Sequence, residues 1–283
     1  MRARPRIVVC GPASWNHLIE LDALPEPRPH MRFARHASWT VGGTSAGKAL
    51  HLLDLGADVT LVTPLARDDN GRRLRTALVD TGLDTVVLDA DVTESHTNLM
   101  TPEGGRVSLY TAAPGPPTAS DIAAAIARFA DADALVIDMS PVGLAVLPAA
   151  RAIGLPLWTD VHDWDGRESY HLPFAQAGST VLLNDDGPGD TRAIMADAVA
   201  GHATLAIRTL GADGAEALTR DGAITTVPAT ACEVVDTNGA GDAFAAGALM
   251  AQLAGESVRG QLTAGAHQAV RALTSRHLSP LLG

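Results

Sequence analysis

Short, almost wholly apolar runs recur along the chain. They alternate with longer stretches whose apolar residues return every three or four positions. The short runs are RIVVC (6–10), VTLVT (59–63), ALVID (134–138), LPLWTD (155–160), TVLLN (180–184) and TLAIRTL (204–210). The helical patterns cover 46–55, 70–81, 119–130, 142–152, 191–200 and 242–254. Strands apolar on both faces need cover on both sides. The alternation therefore predicts a three-layer α/β/α domain around a mostly parallel sheet.

Two segments break this rhythm. Residues 12–41 end in the alternating stretch MRFARHASWTV, and residues 93–113, TESHTNLMTPEGGRVSLYTAA, read as two strands joined at a Gly-Gly turn. Half-polar strands inserted in an α/β chain predict a small separate sheet, a lid over the carboxyl edge where open α/β sheets bind ligands.

The 283 residues suit one such domain. Hydrophobic residues make up 46% and charged residues 19%, a globular composition. The net charge of −11 argues against a nucleic-acid partner. It leaves phosphate ligands open, since backbone N–H groups and helix ends can hold them. Cys10 and Cys232 are too few for a disulfide framework. The basic N-terminus turns apolar only until Gly11 and Pro12, and no run reaches membrane-spanning length, so the expectation is a cytoplasmic protein.

The chemistry concentrates in VVDTNGAGDAFAAGAL (234–249). Gly239, Ala240 and Gly241 stand at the mouth of a predicted helix, where small residues let a ligand approach the free N–H groups of the first turn. Those donors and the positive helix end make an anion site. A carboxylate suits that end on electrostatic grounds alone, so spacing leaves Asp242 open between a first-turn residue and a working group.

The run D-T-N-G-A-G-D-A-F (236–244) resembles the C-terminal signature of the ribokinase family, the PfkB-type carbohydrate and nucleoside kinases. The resemblance implies that Asp242 is the catalytic base and that the Gly239, Ala240 and Gly241 amides form the anion hole around a transferred phosphoryl group. It implies ATP and Mg²⁺ as cofactors, and a monovalent cation such as K⁺ with Asp236 as a ligand. TLGADG (209–214) looks like the nucleotide loop and implies roles for Thr209, Gly211 and Gly214, with Asn184 assisting the Mg²⁺–phosphate network and His267 on the nucleotide side. VGGTSAGKALHLLDLGADVTLVTPLARDDNG (41–71) resembles the N-terminal signature. It puts Gly42, Gly43 and Gly47 on the acceptor side; Asn16 matches the family's sugar-binding position after the first strand, and Asn98, on a lid strand, faces either the acceptor or solvent. The implied function is transfer of the ATP γ-phosphate to a hydroxyl of a sugar or sugar-containing molecule, with pairing through the lid permitted.

Three positions depart from the family pattern. Asn16 stands where an aspartate is common, Gly47 where an asparagine follows the Gly-Gly pair, and Gly187 at the acidic end of N-x-x-E, leaving Asp185 or Asp186 as substitutes. The first two changes strip polar contacts from the acceptor pocket and motivate a non-catalytic binder as an alternative from another class. Trp15, Phe33 and Trp39 either pack the lid or wall a base, which would favour a nucleoside acceptor. His96 joins Asn98 on one face of a lid strand. DVHDWDG (160–166) reads as a loop near the substrate cleft in preference to a metal site.

GGTSAGK (42–48) imitates a P-loop, and Lys48 is the only lysine in the sequence. Ala49 replaces the hydroxyl residue that a P-loop needs for Mg²⁺. In a ribokinase-like enzyme Lys48 is therefore expected to be largely dispensable.

Overall fold

The computed structural model describes residues 4–102 and 104–283. In chain order the first half contains β1 (Arg6–Cys10), β2 (Ser14–Glu20), β3 (His36–Gly42), α1 (Thr44–Asp54), β4 (Asp58–Pro64), α2 (Asp69–Asp80), β5 (Asp84–Leu88), β6 (Ser95–Met100), β7 (Arg106–Ala112), α3 (Ala119–Ile126) and β8 (Ala134–Ile137). Then follow α4 (Pro141–Ile153), β9 (Leu157–Asp160), α5 (Leu172–Ala177), β10 (Thr180–Asn184), α6 (Thr191–Ala200), β11 (Leu205–Thr209), β12 (Ala215–Thr219), β13 (Ile224–Val227), α7 (Ala240–Leu253) and α8 (Val258–Leu273).

Nine strands form the central sheet among the described residues, in the order β13-β12-β11-β10-β9-β8-β1-β4-β5. From β5 to β11 neighbours run parallel, and β12 and β13 close the edge antiparallel. Alternate residues of β1 face opposite layers: Ile7 and Val9 join the core beneath α1, α2, α7 and α8, while Val8 and Cys10 join the core beneath α4, α5 and α6. The six apolar runs are strands of this sheet within two residues at each end. The helical pattern at 119–130 is shorter than expected, because α3 stops at Ile126 and continues as a 3₁₀ turn through Asp131.

A second, four-stranded sheet has the order β3-β2-β6-β7. Its register sets two unlike faces. Ser14, Asn16 and Leu18 of β2 share one face with Thr40 and Gly42 of β3 and with His96 and Asn98 of β6, and most of these are buried. His17, Trp39, Thr97 and Leu109 form a row across the opposite face, where Trp39 and Leu109 are each 49% exposed.

Candidate active site

The Gly-Ala-Gly stretch opens α7. Gly239 is the N-cap at φ 81°, a left-handed conformation that costs glycine little. Its Cα also lies so close to residue 278 that an added Cβ would come within 2.7 Å of the Leu278 carbonyl. Ala240, Gly241 and Asp242 occupy the first turn, where N–H groups lack intrahelical acceptors, and Gly241 is exposed. The same segment around 278 reaches two other elements. The Leu278 carbonyl lies 3.0 Å from Nε2 of His51 on α1, and Nδ1 of His277 lies 3.0 Å from Oγ1 of Thr40 on β3.

Asp242 turns inward and is 8% exposed. Its Oδ1 accepts a hydrogen bond from Lys48 Nζ at 3.0 Å. The same ammonium stands 3.1 Å from Oδ1 of Asp138 and 3.1 Å from Oδ2 of Asp160. Three helix and strand ends therefore converge on the one lysine of the chain, whose side chain is 3% exposed. Burial pushes the Asp242 carboxyl up to about 6 against the pull of Lys48, with Asp138 and Asp160 adding repulsion. Asp160 moves the other way: burial opposes ionisation, but His162 and Lys48 hold its carboxyl below the usual range. One cluster thus contains a carboxylate near neutrality and another firmly ionised.

At the carboxyl edge of neighbouring strands, Asn184 of β10 pairs with Thr209 of β11. The N–H of Asp185 donates to the Thr209 carbonyl at 3.1 Å, and Asn184 Oδ1 accepts the Asp186 N–H. Gly211 and Gly214 shape the turn that follows, both with positive φ. Asn184, Thr209, Gly211 and Gly214 therefore lie together. His267 is exposed on α8, and no hydrogen bond or ring contact among the described residues ties it to this loop. Gly187 leaves no space for the acidic side chain of the family pattern, because a Cβ there would meet the Asp163 backbone at 2.9 Å. Of its two substitutes, Asp185 bonds Thr191 and Arg208, whereas Asp186 faces solvent.

On the buried face of the second sheet, Ser14 Oγ, Asn16 Oδ1 and Asn98 Oδ1 have no hydrogen-bond partner among the described residues. Gly42 makes room for Asn16, since a Cβ at 42 would stand 2.6 Å from Asn16 Cγ. Gly43 turns the chain into α1 at φ 90°. Asp236 accepts the Asn238 N–H at 2.8 Å, and burial holds its carboxyl above the usual range. DVHDWDG supplies no cluster of metal ligands: Asp160 belongs to the Lys48 ring, and Asp165 caps the Arg167 and Glu168 amides.

Known proteins resolve what this arrangement belongs to. A sequence model of the pfkB family of carbohydrate kinases matches residues 181–280. The chain is 31% identical over 266 residues to an acarbose 7(IV)-phosphotransferase from Actinoplanes sp., spanning 92% of this chain and 89% of the relative. It belongs to the pfkB family of carbohydrate kinases. The structure of a microbiome-derived acarbose kinase superposes with a TM-score of 0.84 at 27% identity, covering 97% of this chain and 94% of the other. Arabidopsis thaliana ribokinase, solved with ribose and ATP, superposes with a TM-score of 0.75 at 18% identity over 98% and 95% of the two chains. The pfkB protein described here is thus a phosphotransferase with an alcohol group as acceptor, on a ribokinase-like fold.

The P-loop pattern around Lys48 is a coincidence of letters. Residues 36–42 pair antiparallel in the second sheet instead of forming a buried parallel strand, and Lys48 lies in the second turn of α1. Lys48, expected to be largely dispensable, hydrogen-bonds Asp242. Sequence reading missed Asp138 and Asp160 as site residues. Their signal was available: each ends a strand at the carboxyl edge of a parallel sheet, the edge where such folds bind ligands.

Proposed function

We propose that this enzyme transfers the γ-phosphate of ATP to a hydroxyl of acarbose or a closely related sugar-containing acceptor, with Asp242 as the general base. The observation that carries the reading is the buried Asp242 carboxyl in the first turn of α7, raised to about 6 and flanked by the Gly-Ala-Gly amides. A base with that value is mostly ionised at neutral pH yet retains affinity for a proton.

In the proposed reaction Asp242 takes the acceptor's hydroxyl proton. The hydroxyl oxygen uses its freed electron pair to bond the γ-phosphorus. The bond from that phosphorus to the bridging oxygen breaks, and ADP leaves with the pair. First-turn amides of α7 offset charge on the moving phosphoryl group. Mg²⁺ would neutralise the phosphate oxygens. It commonly takes only one or two carboxylates besides phosphate, so the Asn184–Asp186 corner fits it without a dedicated protein cage. Thr209, Gly211 and Gly214 would line the nucleotide, and Asp236 would help hold a monovalent cation.

The acceptor would fill the space under the second sheet. Orphaned buried oxygens on Ser14, Asn16 and Asn98 are what a polyhydroxylated ligand would satisfy. Closing that sheet as a lid would exclude water from the reaction. Half-exposed Trp39 and Leu109 on its outer face support a homodimer formed through the lids.

An ATP-consumption screen with acarbose, pentoses, hexoses and nucleosides tests the acceptor. Acarbose-dependent ADP release is expected, and release with none of these would leave the binder reading standing. Asp242→Asn should bind ATP normally and lose turnover by about 10³-fold or more.

A further inference from the structure

The Lys48 ammonium has two kinds of partner. Asp138 and Asp160 are fixed from behind. Ser45 Oγ donates to Oδ2 of Asp138 at 2.7 Å, and the His162 N–H donates to Oδ1 of Asp160 at 2.9 Å with His162 Nδ1 at 3.3 Å. Asp242 has no comparable clamp among the described residues; its side-chain hydrogen bond there is the one from Lys48. Asp138 Oδ1 lies within ion-pair distance of Nζ yet receives no directed hydrogen bond. Lys48 therefore spans two carboxylates that are held from behind and donates to a third that is not.

The two oxygens of Asp242 differ accordingly. Oδ1 is held by Nζ, and Oδ2 lies against the bare Cα of Gly47, the position before Lys48. We propose that Lys48 is the positioning residue for Asp242, anchored by Asp138 and Asp160, fixing Oδ1 so that Oδ2 is the oxygen that receives the acceptor's proton. The inference rests on Asp242 being the base. It also links the departure at Gly47 to the lysine beside it: removing a side chain at 47 gives the carboxylate the place where Lys48 reaches it.

The groups facing this carboxylate are Lys48 from α1, Asp138 beyond β8, and Asp160 at the end of β9 with His162 behind it; Cys10 of β1 stands beside Asp138. Burial works against the Lys48 charge, but the three carboxylates outweigh it and keep the ammonium well above its ordinary value. Removing that charge leaves Asp242 facing two like charges, so its affinity for protons must rise. A lysine that served only packing would leave the titration of Asp242 where it is.

The test reads the aspartate carboxyl carbons by ¹³C NMR across pH, taking the Asp242 signal as the one that Asp242→Asn removes. In Lys48→Met the Asp242 midpoint should rise by at least one pH unit. With ATP and acarbose, kcat should fall far more than KM changes, with partial recovery at high pH. Lys48→Arg keeps the charge but not the compact three-way fit, so its midpoint should stay near wild type while kcat drops. An unmoved midpoint in folded Lys48→Met overturns the proposal. If that variant does not fold, Lys48→Arg decides: a fall in kcat with the Asp242 midpoint in place supports the tether, and wild-type kcat overturns it. Turnover surviving in Asp242→Asn would instead strike the base assignment, whatever Lys48 does.

Discussion

Oδ2 of Asp242 rests against the α-carbon of Gly47 so closely that a β-carbon at 47 would stand 2.8 Å from the carboxylate carbon. Gly47→Ala must therefore move Asp242 or the second turn of α1. Turnover is expected to fall about 100-fold or more, with a stability loss of about 1–3 kcal/mol from overpacking. Gly47→Asn, which installs the residue common in related kinases, should be worse than alanine and not a repair. Steady-state kinetics beside a thermal melt checks both, and wild-type turnover in Gly47→Asn would mean the carboxylate does not work from this position.

Asp242 should weaken the fold it serves. Its native carboxyl is raised to about 6 by burial, from an ordinary value of 3.8. A raised native value gives stability that is full below the unfolded value and lost as pH climbs through 6. Above neutrality the cost is about 2–3 kcal/mol. Asp242→Asn should then melt higher than wild type at pH 8 and at nearly the same temperature at pH 4. Equal or lower melting at pH 8 would show that the carboxylate is not held against its preference.

Glu216 behaves in the opposite sense. Arg192 donates to Oε2 at 2.9 Å and Arg208 to Oε1 at 3.1 Å, and Arg208 also reaches Asp185. Arg192's hydrogen bond, with the Arg208 charge, outweighs burial and lowers the Glu216 carboxyl. A lowered native value contributes stability above the unfolded value that disappears as pH falls through the native one. Glu216→Gln should cost about 1 kcal/mol at pH 7, since exposed Arg192 can turn to water and Arg208 keeps Asp185 and Thr191, and almost nothing in strong acid. Urea titrations at the two pH values measure the difference.

Trp39 stacks on His17 with ring centroids 4.4 Å apart, in the row that ends at Leu109. If this face pairs two copies, Leu109→Glu should convert a dimer to a monomer in light scattering. Wild-type protein that stays monomeric at about 100 µM would remove the basis for lid pairing.

Legibility differed by element for physical reasons. Buried parallel strands such as β1 and β10 declare themselves as unbroken apolar runs. The β12–β13 hairpin was missed although Asp221-Gly222 marks its turn, because its strands are half-polar and β13 is the edge strand. Helix α8 was missed because Gly260 and Gly265 interrupt its pattern; Gly265 is there so that Phe244 of α7 can pack against it. The glycine loop could be read because its chemistry is contiguous. The Lys48 ring was legible only in part: strand-end positions mark Asp138 and Asp160 as edge residues, but that 48, 138, 160 and 242 meet follows only once the sheet is ordered.

Residues 277 and 278 touch the mouth of α7, a histidine of α1 and a strand of the small sheet at once. The small sheet, α1 and the start of α7 are thereby buckled together by a two-residue clasp. Grafting a different small sheet onto this scaffold, to change which molecule is phosphorylated, would have to carry that clasp along with it.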